Sequence, residues 1–108
     1  FHKSVDADGE VSNRIGPGIL FELVDIIHQR AVEMPEGSYT AKQLAAGPSR
    51  IAQKVIEEAG EMGLAAATGA TDDVAPEMAD LICNSITLLE SVGVPIEDVW
   101  TELARRRR

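Results

Sequence analysis

The chain has 108 residues, 44% of them apolar, with 18 acids against 10 lysines and arginines and a formal charge of −8; that length suits one domain with an ordinary core. Setting aside the four arginines at 105–108 leaves 18 acids facing 6 bases, a body at −12, which argues against general nucleic-acid binding because that needs lysine and arginine to displace phosphate counterions. A single cysteine, Cys83, excludes an internal disulfide and disfavours a cysteine zinc site, and with no apolar run near ~20 residues and no signal-peptide pattern the expected setting is cytoplasmic, without a membrane partner.

Residues 1–16 are polar and lack helical periodicity, so they read as an N-terminal leader ahead of a domain spanning 17–108. His2 and the acids Asp6, Asp8 and Glu10 carry no expected role there. From Pro17, Leu20, Leu23, Val24 and Ile27 recur at i, i+3, i+4 and i+7, which predicts an amphipathic helix. It should end before Met34-Pro35, since the residue ahead of a proline disfavours α geometry. Pro35–Tyr39 reads as a loop, with Thr40 as the cap of a short helix through Ala46 that Gly47 closes. Pro48-Ser49 opens a third helix to about Ala67, with Gly69 as a stop. Asp72 or Asp73 should cap a fourth, with Pro76 in its first turn and Gly93 at its end. Pro95 starts a fifth, carrying Val99, Trp100 and Leu103 toward the arginines, whose charge suits a helix C-terminus. No segment alternates with period two. The expected fold is all-α, an antiparallel bundle of about four to five helices. So small a domain buries only about two-thirds of its unfolded surface and gains from pairing with a second copy.

The third helix carries Lys54, Glu57, Glu58 and Glu61. At ~100° per residue, with Lys54 as zero, Glu58 lies near +40°, Glu61 near −20° and Glu57 near −60°. These charges border the strip of Val55, Ala59, Met62 and Ala66 that should face the core. Taken alone, the arc is equally a solvated acidic face supported by i,i+3 and i,i+4 pairs with Lys54. The fourth helix shifts the balance. Glu77 and Asp80 are again i,i+3, and the following Leu81, Ile82, Cys83, Ile86, Leu88 and Leu89 predict a helix buried on every side. A carboxylate there needs compensation. Two helices, each offering two acids one turn apart, can surround a hard divalent cation such as Mg²⁺.

Glu58-x-x-Glu61, fifteen residues, then Glu77-x-x-Asp80 resembles the metal signature of the all-α, MazG-like nucleotide pyrophosphohydrolases. LFELVDIIHQR (20–30), PEGSYTAKQL (35–44), GPSRIAQKVIEEAGE (47–61) and EMADLI (77–82) together resemble the phosphoribosyl-ATP pyrophosphatase family of histidine biosynthesis. The resemblance covers about residues 19–104. It implies hydrolysis of phosphoribosyl-ATP to phosphoribosyl-AMP and pyrophosphate, Mg²⁺ as cofactor, and a homodimer with its sites near the interface. By position it makes Glu58, Glu61, Glu77 and Asp80 metal ligands. Glu57 becomes an accessory ligand or an orienter of water, and Arg50 and Lys54 meet phosphates. Ser38, Tyr39, Thr40 and Lys42 form a loop over the substrate. The family often has an aromatic residue and then histidine where this chain has Cys83 and Asn84, so Asn84 is expected to replace that histidine as a hydrogen-bonding group to substrate.

Mechanistically, Glu57 or Glu61 is the candidate base, and Lys54 and Arg50 stabilise charge on the departing pyrophosphate. His28 reads as a helix-face residue with ordinary polar contacts, Cys83 as an apolar filler, and Trp100 as a core or dimer anchor. Two rivals use the same sequence. A house-cleaning pyrophosphohydrolase of free (deoxy)nucleoside triphosphates would need the same four acids, and a non-catalytic helical dimerisation module would leave Asp80 unexplained.

Overall fold

The computed structural model describes residues 15–107, which form five α-helices and no strand: α1 (Ile19–Glu33), α2 (Tyr39–Ala46), α3 (Pro48–Ala67), α4 (Val74–Val92) and α5 (Ile96–Arg106), with a 3₁₀ turn over Thr71–Asp73 ahead of α4. The expected leader therefore lies outside the described residues except for Ile15 and Gly16, and His2 lies outside them as well. The all-α expectation holds, and each of the five helices sits close to its expected span.

The differences fall at helix ends and have local causes. α1 begins at Ile19, because Pro17 and Gly18 form the preceding turn, in which the amide of Leu20 bonds the Pro17 carbonyl at 3.1 Å. It ends where Met34 turns left-handed (φ 46°) and returns its amide to the Arg30 carbonyl. The cap of α2 is Ser38, not Thr40. Ser38 is extended and its Oγ accepts the Ala41 amide at 3.1 Å, satisfying a first-turn donor that Thr40, already helical, cannot reach. Gly47 alone separates α2 from α3, and its φ of 99° makes so abrupt a corner feasible. Asp73 precedes α4 in helical geometry without a side-chain cap, because the 3₁₀ turn already engages the chain there.

α3 and α4 form the principal pair, joined by the short stretch 68–73 so that α4 runs back along α3. α2 lies across both, and α1 packs on α4 and α2. The buried apolar residues come from four of the helices: Ile27, Ala41, Ile51, Ala65 and Ile86. α4 corrects one expectation. It is apolar around most of its girth, yet within one chain only Asn84, Ile86 and Thr87 are buried, while Met78 is 43% and Val92 52% exposed. From Leu81 to Ser91 every residue is buried or half-buried, and the exposed apolar side chains stand at the two ends of the helix. α5 buries no residue, and its Trp100 packs its ring at 57° against Phe21 of α1, centroids 6.4 Å apart. Arg105 and Arg106 lie in the last turn of α5, where cations were expected, and both pair with Glu102 one turn back. Among the described residues no single helix is long and apolar enough to cross a membrane.

Candidate active site

The i,i+3 spacing on α4 places Glu77 and Asp80 on one face, and the α3–α4 pairing brings Glu58 opposite them. One carboxylate oxygen from each of Glu58, Glu77 and Asp80 lies within 4.8 Å of the other two. Glu58 is the buried member, and its Oε1 is fully enclosed without a hydrogen-bond partner. Such an atom normally costs stability unless something fills its open coordination. Glu77 carries the electrostatic strain. A hydrogen bond with Glu58, then burial, then the charges of Glu61 and Glu58 push its carboxyl up to about 7. The fourth expected member, Glu61, thus faces Glu77 while standing outside the tight group of three. Asp80, expected to be the buried acid of an enclosed helix, is exposed; the buried carboxylate belongs to α3.

Lys54 joins this cluster to a second feature. Its Nζ lies 3.8 Å from both Glu57 Oε1 and Glu58 Oε2. It also lines a cavity of about 470 Å³ with Tyr39, Lys42, Gln43, Ala46 and Arg50. Four of the expected substrate contacts, Tyr39, Lys42, Arg50 and Lys54, therefore share one cationic hollow beside the acids. Ser38, Tyr39 and Lys42 also border a neighbouring hollow of about 410 Å³ above the Pro35–Ser38 turn. Ser38 spends its Oγ on the helix cap, and Thr40 is half-buried and lines neither hollow. Glu57 accepts a hydrogen bond from Gln53 Nε2 at 3.3 Å and is held apart from the three clustered acids.

Asn84 departs from its expected place as a substrate contact. It is buried, and its Oδ1 accepts from Gln43 Nε2 at 2.9 Å. Sequence reasoning passed over Gln43, which lines the cationic hollow. The available signal was a glutamine inside a short, mostly small-residue helix, but its partner lies 41 positions away. His28 stays apart from the acids. Its Nδ1 sits 3.1 Å from Glu90 Oε2 across α1 and α4, beside a different hollow that includes Asp25 and Glu97. Cys83 is half-buried, its thiol pushed up by burial and by the Asp80 charge.

Three converging carboxylates, one with an enclosed free oxygen, suit a hard oxygen-seeking cation. Opposite ligands of an ion with bonds near 2.1 Å stand roughly 4.2 Å apart, so oxygens already within 4.8 Å of one another need only small side-chain movements. The adjoining hollow suits a polyanion.

The family model described as phosphoribosyl-ATP pyrophosphohydrolase matches residues 20–107. A phosphoribosyl-ATP pyrophosphatase of Methylobacterium nodulans is 42% identical over 87 residues, 81% of each chain. One from Metallosphaera sedula is 43% identical over 90 residues, 83% of this chain and 97% of the relative. A histidine biosynthesis bifunctional protein of Bacteroides thetaiotaomicron is 46% identical over 84 residues, 78% of this chain but 41% of the longer relative. The acids on α3 and α4 and the cationic wall beside them lie inside the matched span, and the chain belongs to the phosphoribosyl-ATP pyrophosphohydrolase family.

Proposed function

We propose that the protein hydrolyses phosphoribosyl-ATP to phosphoribosyl-AMP and pyrophosphate with Mg²⁺ as cofactor, in the cytoplasm and as a homodimer. The observation that carries this reading is the position of Lys54, which touches Glu57 and Glu58 and lines the cationic hollow. Anion-binding and cation-binding walls that meet at one side chain suit a metal-bound polyphosphate.

Glu58, Glu77 and Asp80 would hold the Mg²⁺, with Glu61 beside Glu77 as a further ligand. When bound, the ion supplies charge neutralisation and a template for water and phosphate oxygens. The remaining steps belong to the chain. Lys54 and Arg50 orient the phosphates and stabilise the charge that accumulates on the leaving pyrophosphate. Glu57 lies one residue from the metal-holding Glu58, and it or Glu61 accepts the proton of the attacking water. Tyr39 and Lys42, which line the hollow from α2, contact the part of the substrate beyond the triphosphate. The second copy would cover apolar side chains that one chain leaves open, among them Ile56 (72% exposed) and Leu64 (66%) on α3 and Met78 on α4.

The test is pyrophosphate release with Mg²⁺, comparing phosphoribosyl-ATP with a panel of nucleoside triphosphates. The expected result is the highest kcat/KM for phosphoribosyl-ATP. A preference for a free nucleoside triphosphate would move the activity to the house-cleaning class, and no release from any nucleotide would end the enzymatic reading.

A further inference from the structure

Outside the cluster of acids, two side-chain hydrogen bonds among the described residues join separate helices, and both end on α4. The His28–Glu90 bond lies at the surface, away from the acids. The other, Gln43 Nε2 to Asn84 Oδ1 at 2.9 Å, is buried at both ends. Its position is informative. Gln43 directly follows Lys42 on α2 and lines the same cationic hollow. Asn84 stands one turn beyond Asp80 on α4, so its Cα lies on the Asp80 face. The bond thus ties the helix bearing Tyr39 and Lys42 to the helix bearing Glu77 and Asp80.

Apolar contacts alone give α2 little to hold its place. It is eight residues long, and its one buried apolar residue is Ala41, a small side chain with little area to key into a neighbour. A hydrogen bond is directional, and a buried one is expensive to break. We propose that the Gln43–Asn84 bond is a positioning link that fixes the cationic wall of α2 relative to the acids of α4, and thereby sets how tightly the site grips pyrophosphate. The inference rests on the site proposed above, but not on the identity of the nucleotide.

Its test separates positioning from stability. Gln43→Leu combined with Asn84→Ala replaces the pair by apolar groups of similar total volume, and losing both partners of a buried bond together costs little stability. Gln43→Met, which keeps the side chain's shape and removes only its amide, serves where the double change does not fold. The exchanged pair, Gln43→Asn with Asn84→Gln, keeps an amide at each end and the same combined reach. Affinity for inorganic pyrophosphate with Mg²⁺, and for Mg²⁺ alone, is measured by calorimetry below each variant's Tm.

For the apolar pair the expected result is a Tm near that of wild type, unchanged Mg²⁺ affinity, and pyrophosphate affinity lowered about fivefold, the equivalent of one net hydrogen bond. The exchanged pair should recover most of the affinity. A folded apolar pair or Gln43→Met variant that binds pyrophosphate as wild type does overturns the link, as does a wild type that binds none. Pyrophosphate binding without turnover of phosphoribosyl-ATP sinks the proposed reaction and leaves the link standing.

Discussion

Glu58 and Glu77 show how single side chains register the repulsion that a cation would relieve. Glu58 Oε1 is enclosed without a partner, and Glu77 is pushed from 4.5 up to about 7 by its acidic neighbours and burial. A carboxyl whose folded value lies above its unfolded one favours the folded state while protonated, so this contribution is complete below the unfolded value and is lost as pH rises through the folded value. The metal-free protein should therefore lose thermal stability between roughly pH 5 and 8, and Glu77→Gln should flatten that loss. Mg²⁺ should raise Tm most at the alkaline end, where all the acids are charged, and Asp80→Asn should remove most of that gain. Melting curves with chelator and with millimolar Mg²⁺ across this range check both expectations. A Tm indifferent to Mg²⁺ at pH 8 would count against the cation site. The spacing of these acids was legible because i,i+3 fixes a helical face from sequence alone. Which acid is buried was not, since burial of Glu58 and exposure of Asp80 depend on how α4 tilts against α3.

Among the elements, α2 does the most with the fewest residues. Its boundaries were nearly readable from sequence, but its cap was assigned to Thr40 where Ser38 performs it, because both residues fit the preference and only backbone geometry separates them. Ser38→Ala should cost about 1 kcal/mol of stability through the lost cap. If capping is the main duty of Ser38, chemical denaturation should show that loss, and kcat at saturating substrate should stay within about twofold of wild type; a fall of about 100-fold in kcat at unchanged Tm would mean that Ser38 acts on substrate directly. The flanking residues make a sharper distinction. Lys54 on α3 meets the acids, whereas Tyr39 and Lys42 line the hollow from α2. Lys54→Ala should lower kcat/KM on every accepted nucleotide. Tyr39→Ala with Lys42→Ala should selectively weaken phosphoribosyl-ATP by about tenfold or more, the equivalent of one charge-assisted hydrogen bond at about 1.5–3 kcal/mol, and spare residual activity on ATP. Equal losses on both substrates would remove this division of labour.

At the scale of the molecule, helix number and order followed from periodicity and from Gly and Pro punctuation, both properties of the chain itself. The burial pattern did not follow, and α4 shows why. Apolar residues around its whole girth predict enclosure, yet within one chain Leu81, Ile82, Leu88 and Leu89 are only half-buried and Met78 and Val92, at its ends, stay open. α3 repeats the pattern, with Ile56 and Leu64 exposed on a helix whose other faces are committed to α4 and to the acids. Periodicity reports that a face must be covered and is silent on whether the cover comes from the same chain. A second copy is the economical cover, because a domain of this size buries only about two-thirds of its unfolded surface unaided. Light scattering should accordingly give the mass of two chains at micromolar concentration, with a Tm that rises with protein concentration. Leu64→Asp places a charge on the open face without disturbing Ala65, the buried neighbour in the core. That variant should shift toward single chains and lose the concentration dependence of its Tm. A wild type that scatters as one chain at every concentration would show that these side chains are ordinary exposed apolar surface.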